Sequence, residues 1–520
     1  MRSKKTRIVL IGGILTLLAL FTIRQKGESA VSRVSLKNET ASSPVSASSA
    51  VSTVSESAVS VAPLSLASNT SLFAYIPKPA NAAQVEAAYV APSQDVHYVR
   101  IDPIASGEHS PLSRVGGRVE FTLPDGTKLP MVVKNTESFG DSRFVSDGEL
   151  ENTPGHASFA YNNGELSGTI DLDGGATYQV RAIGNSVAQV FAEDSNLVPP
   201  CGVIGAIHSS KADVPAAGVT VTASETTGVA AAGDVVAAGD IPTVSGVLSP
   251  TLTTSTAIKT TVRVLVPYSS TITKTITTTA LISAIDLAVA NLNTDLQRSA
   301  VPVKVVLAAT VSENYTYDGK DPSSVAIDNA LTRITNPSDN VLDHIHAVRY
   351  DNQADLVCFL INEVDSTNSG VGYILATPNY AFNCTYGFSV ISMSYLNSAR
   401  TFSHELGHNF GCDHDRQNAN STTGAAAVGT YPYSYGYRFY GKNNVQYRDI
   451  MAYPPGQVIA YFSNPNLTAP SPVSVPVGSP VGTSTQAYNA LTITQTATEV
   501  SNYHTNRLVL RAANETRTKS

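Results

Sequence analysis

The 520-residue sequence contains no tryptophan, only four cysteines, and few charged residues, which make up 14% of the chain. So few cysteines in so long a chain exclude a scaffold built on dense disulfides. The net charge of −7 and the lack of long basic runs argue against nucleic-acid binding. No Gly-x-Ser-x-Gly motif follows a predicted strand, so a serine-hydrolase site has no support.

The N-terminus has the composition of an export signal. Basic residues between positions 2 and 7 precede an uncharged apolar run over residues 8–23. This run is long for a signal peptide and short for a membrane span. We therefore expect a signal peptide or an uncleaved signal anchor over residues 1–30, and a secreted or cell-envelope protein. Only an uncleaved anchor would hold the chain at a membrane.

Composition divides the remaining chain into five parts. Residues 31–71 are rich in Ser and Ala, which predicts a disordered tether. Residues 72–207 alternate apolar and polar residues between turn signals, which predicts a mostly β domain. Residues 208–257 are of low complexity and predict an exposed linker. Residues 258–508 interleave predicted strands and helices, and residues 509–520 are predicted to be a tail.

The interleaved region gives a specific set of predicted elements. Strands are predicted at 262–267, 303–307, 354–364, 373–375 and 388–392. One helical face is formed by Leu281, Ile285, Val289, Leu292 and Leu296. A second helix is predicted over about 399–410 and a last one near 490–505.

The most specific motif is the run His404-Glu-Leu-Gly-His-Asn-Phe-Gly-Cys-Asp-His414. On a helix, His404 and His408 share one face and can bind one metal ion. Glu405 projects beside them and suits a general base that activates water. Gly411 can adopt a positive φ and end the helix, so that the chain turns and His414 supplies a third ligand. Three protein ligands with one open position are typical of a catalytic site for Zn²⁺, the predicted cofactor.

A second run, Asp449-Ile-Met-Ala-Tyr453, follows this motif. Together they resemble the metzincins, and most nearly the bacterial reprolysin-like (adamalysin-like) zinc metallopeptidases. The resemblance covers about the last half of the chain and is also carried by Ala354-Asp-Leu-Val357, Tyr435-Gly-Tyr-Arg438 and Phe462-Ser-Asn-Pro-Asn466. It implies an α/β catalytic domain with a five-stranded mixed sheet and an active-site helix, preceded by a mostly β prodomain. It also implies that Met451 lies in a tight turn beneath the zinc site.

Other candidate residues have two interpretations each. A tyrosine at the offset of Tyr453 contacts the metal or the oxyanion in astacin- and serralysin-like metzincins, but Tyr453 could instead pack as a wall of the site. Asp415 could orient the site or bind local backbone groups. Cys201 resembles the cysteine that caps zinc at the end of reprolysin-like prodomains, but it could also form a disulfide. A Cys384–Cys412 disulfide is a further alternative.

Three functions fit this sequence, the third being a metal hydrolase that uses the same ligands on non-peptide substrates. The first is a secreted zinc endopeptidase, made as a latent zymogen, that acts on protein or peptide substrates as a monomer. The second is a catalytically inactive envelope or adhesion protein that retains a metalloprotease fold. The first is favoured, because an inactive domain has no chemical reason to keep Glu405 and the three histidines.

Overall fold

The computed structural model describes residues 70–140, 142–204, 257–317, 319, 326–364, 367–375, 383–419 and 429–517. The predicted export segment, tether and linker fall almost wholly outside these residues. Within the described ranges, no helix is both long and apolar enough to cross a membrane.

The N-terminal part of the described chain is built on one large sheet. Its strands are β1 (Thr70–Ser71), β2 (Phe73–Ile76), β3 (His97–Ile101), β4 (Arg118–Thr122), β5 (Lys128–Ser138), β6 (Arg143–Leu150), β7 (Gly155–Asn162), β8 (Glu165–Leu172), β9 (Thr177–Gly184) and β10 (Val187–Ala192). They lie in the order β1-β4-β5-β6-β7-β8-β9-β10-β3-β2, antiparallel except for the β1–β4 pair. Two short helices, α1 (Ala82–Ala88) and α2 (Pro103–Ser106), accompany the sheet. The mostly β character predicted for residues 72–207 is confirmed.

The alternation of apolar and polar residues explains these strands. Val119 and Phe121 of β4 are fully buried, whereas Arg118 at the start of the strand is exposed. Apolar residues from most of the strands form one core cluster, which Ala105 of α2 joins.

A second sheet lies in the C-terminal part. Its strands are β11 (Gly202–Ile204), β12 (Thr260–Ser269), β13 (Val303–Glu313), β14 (Leu356–Ile361), β15 (Gly370–Tyr373) and β16 (Phe388–Ser392), in the order β11-β15-β16-β14-β12-β13. Only β15 and β16 pair in an antiparallel way. Strands β12–β16 confirm the predicted five-stranded mixed sheet. The sixth strand, β11, belongs to the region predicted as the mostly β domain and was not predicted here.

Helices cover the second sheet on both faces. They are α3 (Thr278–Arg298), α4 (Ala326–Thr335), α5 (Ile345–Asp351), α6 (Thr401–Asn409), α7 (Asn489–Val500) and α8 (Arg507–Arg517). The side chain of Thr277 caps α3 by accepting a hydrogen bond from the backbone N–H of Ala280. All five residues of the predicted helical face are buried. Helix α3 packs between the two sheets, against β7 and β8 on one side and β13 on the other.

The described residues between Gly411 and α7 are mostly irregular, as predicted, and contain seven short strands. These are β17 (Asp413–Asp415), β18 (Tyr435–Gly436), β19 (Arg438–Tyr440), β20 (Gln446–Arg448), β21 (Gln457–Val458), β22 (Asn464–Thr468) and β23 (Pro476–Val477). The end of the chain differs from the prediction, because most of the expected tail over 509–520 belongs to α8. Val509 and Ala513, one helical turn apart, are buried, and α8 packs against α5.

Candidate metal centre

The three histidines of the motif meet at one point. His404 and His408 lie on α6 and His414 lies in β17, and all three are buried. Gly411 has a φ of 94° and makes the turn between them. One ligand atom from each histidine and the Sγ of Cys201 all lie within 4.8 Å of one another. The described residues thus bring together all three predicted ligands and the predicted capping cysteine.

Backbone carbonyl groups orient two of the rings. His404 Nδ1 donates to the carbonyl of Ile450 at 2.7 Å, and His408 Nδ1 donates to the carbonyl of Cys412 at 2.8 Å. Because the proton is on Nδ1, the Nε2 lone pair is free to bind a metal. Burial lowers the pKa of His408 to about 4 and the pKa values of His404 and His414 well below the ordinary value. The rings are therefore neutral, as metal ligands must be.

The geometry and chemistry of the four atoms fit a zinc ion. Cys201 Sγ lies 3.2 Å from His404 Nε2, 3.3 Å from His408 Nε2 and 2.9 Å from His414 Nε2. Around a tetrahedral zinc ion, sulfur and nitrogen ligands are separated by about 3.5 Å. None of the four cysteines, all of which lie in the described residues, forms a disulfide, so neither disulfide alternative for Cys201 or for Cys384 and Cys412 is realised.

Glu405 lies against the glycine-rich strand β15. Gly370 and Gly372 have no Cβ atom. A Cβ atom added at Gly370 would lie 2.6 Å from Glu405 Oε1, and one added at Gly372 would lie 3.2 Å from Oε2. Only glycine therefore allows this close approach of strand and carboxylate. Burial raises the pKa of Glu405 well above its ordinary value, and the nearby Cys201 thiol offsets this only in part. Two glycines within one short segment are the signal in the sequence for this contact, which was not predicted.

Met451 lies directly beneath the helix that carries the histidines. If the residue before His408 were not Gly407, its Cβ atom would lie 2.6 Å from the Sδ of Met451. Glycine at this position therefore allows the close contact. Asp449 holds the turn, since its Oδ1 accepts hydrogen bonds from the backbone N–H groups of Met451 at 3.1 Å and Ala452 at 2.9 Å. Burial raises the pKa of Asp449 to about 7. The role of Asp449 was not predicted, although an aspartate that accepts from the backbone N–H two residues further on is typical of turns.

Met451→Leu should be tolerated, with a loss of about 0.5–1.5 kcal/mol in the free energy of unfolding, because the two side chains have similar volumes. Zinc content should remain that of the wild type, because the sulfur packs and does not bind the metal. Denaturant unfolding and metal analysis of the same preparation measure both quantities. Loss of zinc from a variant that is still folded would contradict this role.

Tyr453 and Asp415 form a linked pair beside the histidines. The ring of Tyr453 packs on His414 with 4.1 Å between ring centroids, and its hydroxyl donates to the Cys201 carbonyl at 2.6 Å. Asp415 Oδ2 accepts from the backbone N–H of Tyr453 at 3.0 Å, and its Oδ1 pairs with Arg438 at 2.9 Å. Asp415 thus accepts hydrogen bonds from neighbouring groups, and through the backbone N–H of Tyr453 it also positions the tyrosine. Tyr453 both packs as a wall and directs a hydroxyl into the site, so its two proposed roles stay open.

Neutral histidines converging under a mixed sheet, with a carboxylate beside them, define a histidine metal centre of the metallopeptidase type. Residues 259–463 match the model of a reprolysin group described as Metallo-peptidase family M12. This part of the chain is therefore similar to reprolysin-like metallopeptidases, and the resemblance drawn from its motifs is confirmed.

Two curated relatives agree with this family. Both are named peptidyl-Asp metalloendopeptidase, from Stenotrophomonas maltophilia strains R551-3 and K279a, and are 31% and 30% identical to this chain over 193 residues. The match covers 36% of this chain and 41% of each relative. A solved structure described as a chaperone-substrate complex aligns with a TM-score of 0.34 and 18% identity, over 47% of this chain and 39% of that one.

Proposed function

We propose that this protein is a zinc endopeptidase made as a latent precursor, whose N-terminal β region is a prodomain. The observation that carries the proposal is the convergence of three neutral histidines and Cys201 on one point beside Glu405. A thiol in that position is what a latent form needs, because it fills the place that substrate or water would take.

His404, His408 and His414 would hold the zinc ion. When bound, zinc supplies a Lewis acid that stabilises negative charge and makes water a stronger acid. Glu405 accepts the proton of the attacking water and then delivers it to the leaving amine, so no covalent intermediate is required. The backbone at Gly370 and Gly372 restricts the position of the Glu405 carboxylate during these transfers.

Two contacts of the N-terminal region support latency. Cys201 Sγ lies within 3.3 Å of all three histidine Nε2 atoms. Immediately after it, β11 pairs in parallel with β15, the strand that lies against Glu405. An extended peptide substrate would need the same strand edge, so β11 blocks it. We infer that removal of residues up to the linker opens the site.

The test is hydrolysis of casein and of a peptide library by the full-length protein after limited proteolysis, with and without a chelator. We expect cleavage that a chelator abolishes and that zinc restores. No cleavage by a zinc-loaded and proteolysed protein would favour the inactive envelope or adhesion protein instead. The library should include aspartate-containing peptides, because both relatives are named for peptidyl-Asp cleavage.

His414→Ala should lower zinc occupancy and remove peptide hydrolysis. His414 is fully buried and its Nε2 faces Cys201, so the variant loses one of three protein ligands. Metal analysis and the peptide assay measure the two effects. A suitable control is His504→Ala, because His504 pairs with Asp355 away from the site. Intact zinc and activity in His414→Ala would contradict the ligand assignment.

A further inference from the structure

The strand β11 shows where an extended peptide would lie along the edge of β15. Gly202 of β11 is paired with Val371 of β15, and the residue before it, Cys201, places its Sγ at the metal centre. A peptide substrate would use the same strand edge, so the pairing relates each residue of the substrate to a position along β15. The substrate residue opposite Val371 therefore lies next to the residue at the metal centre.

The alternation of side chains along β15 fixes which way that substrate residue points. Gly370 and Gly372 lie against Glu405 of α6. Val371 between them faces the other side of the sheet, where it shares a core cluster with Ile327 of α4. Residues paired across two strands have their side chains on the same face of the sheet. The substrate side chain opposite Val371 thus points towards α4, whichever direction the substrate runs.

A carboxylate and an amide group lie at this place. A Cβ atom added at Gly202 would lie 2.8 Å from Asn368 Nδ2 and 3.1 Å from Asp328 Oδ1. Both side chains are half-buried, so they line the cleft and are still reached by solvent. The N-terminal segment passes them with a residue that has no side chain. Any larger residue of a substrate at this position would contact Asp328 and Asn368 directly.

The chemistry of these two groups suits a positively charged side chain. Asp328 lies in the first turn of α4, where the helix dipole stabilises a negative charge. The amide of Asn368 can rotate to offer its carbonyl oxygen as a second acceptor. An ammonium or guanidinium group would pair with the carboxylate, whereas an acidic side chain at the same place would be repelled.

We propose that Asp328 and Asn368 form a subsite that selects a lysine or arginine side chain at the substrate residue paired with Val371. The proposal rests on the proposed endopeptidase function and adds a specificity-determining pair to it. Because Gly202 makes no side-chain contact here, a basic substrate gains a contact that the N-terminal segment lacks. Asp328 touches the substrate side chain and not the reacting atoms, so it affects which peptide is cleaved and not the chemical step.

The test compares peptides that differ at one residue near the scissile bond. The full-length protein is activated by limited proteolysis. Then kcat/KM is measured while each of the two residues on either side of the scissile bond is in turn Lys, Arg, Gln, Ala or Glu. At one of these four positions, Lys and Arg should exceed Glu by at least about fivefold at low salt, since one ion pair replaces one repulsion. Added salt should reduce this ratio, because it screens both interactions.

Variants of the subsite should change this ratio in opposite directions. In Asp328→Asn the ratio of Lys to Glu peptide at that position should fall towards one, and in Asp328→Lys it should invert. The kcat/KM for the Ala peptide should stay near the wild-type value in Asp328→Asn. The ratio is internal to each preparation, so partial activation does not affect it. If Asp328→Asn does not fold, Asn368→Ala tests the same subsite and should also lower the ratio.

The matched control is Asp339→Asn. Asp339 is another partly buried aspartate, just beyond the end of α4, and it pairs with Arg333 at 3.1 Å. The side-chain atoms nearest to Gly202 belong instead to Asn368 and Asp328. The control variant should therefore keep the wild-type ratio of Lys to Glu peptide at every position.

Two results would overturn the proposal. One is a wild type that cleaves Lys and Glu peptides equally at all four positions, and the other is an unchanged ratio in Asp328→Asn. Binding of the same peptides to the activated Glu405→Gln protein separates this proposal from the proposed function. Selective binding of basic peptides without hydrolysis by the wild type would reject the endopeptidase and keep the subsite. Hydrolysis without any preference would reject the subsite and keep the endopeptidase.

Discussion

Glu405→Gln is expected to lower kcat/KM for peptide hydrolysis by at least about 10²–10⁴-fold, because glutamine cannot accept the proton of the attacking water. The zinc content and the thermal midpoint should remain those of the wild type. Glutamine has nearly the same shape as glutamate and fits the narrow space beside Gly370, where a Cβ atom would lie 2.6 Å from Oε1. Steady-state kinetics of the activated protein, metal analysis and thermal unfolding measure these three quantities.

A control for this variant is Glu313→Gln. Glu313 is also buried, but it pairs with His344 at 3.0 Å and lies at the end of β13. Its variant should keep near wild-type activity. A Glu405→Gln protein with normal turnover would reject the general-base role, and loss of zinc from that protein would instead make Glu405 a ligand.

Cys201→Ser should raise the activity of the uncleaved full-length protein. A serine hydroxyl stays protonated and is a poorer zinc ligand than a thiolate, so the capped arrangement becomes less stable. A rise of at least about tenfold is expected, which corresponds to a loss of about 1.4 kcal/mol in the stability of the closed form. Activity is measured before any cleavage, with electrophoresis to show that the chain is intact. Faster self-processing of the variant would support the same conclusion.

Cys358→Ser is the matched control. Cys358 is a buried free thiol in β14, and it does not belong to the metal centre. The latency of this variant should equal that of the wild type. Equal latency in Cys201→Ser and the wild type would reject the switch.

The metal centre could be predicted from the sequence because its determinants are local. His404 and His408 are one helical turn apart, and Gly411 needs only its own backbone freedom to direct His414 back. The strands β12, β13, β14 and β16 were predictable for the same reason, since each carries its own apolar run. The glycine-rich β15 has no such run, and it shares only Tyr373 with the strand predicted at 373–375. Met451 could be assigned only through the resemblance to a family, because a single methionine has no local signal of its own.

The contacts across the two sheets could not be predicted from the sequence. Asp171 and Arg400 are 229 residues apart, and Glu193 and Ala399 are 206 residues apart. No periodic pattern connects such pairs. Ala399 is also a helix-favouring residue, so its left-handed conformation opposes its own propensity and is decided by tertiary contacts.

The position of α3 between the two sheets has a kinetic consequence for activation. Its contacts with the N-terminal sheet include Asp286 paired with Arg143 at 2.7 Å, and Ser283 donating to the Ala160 carbonyl at 2.8 Å. A cut between residues 204 and 257 would break one peptide bond and none of these contacts. The severed piece would stay bound as a reversible inhibitor until it dissociated or was degraded. Activity should therefore lag behind cleavage, and dilution should shorten the lag because a released inhibitor rebinds more slowly when it is scarce.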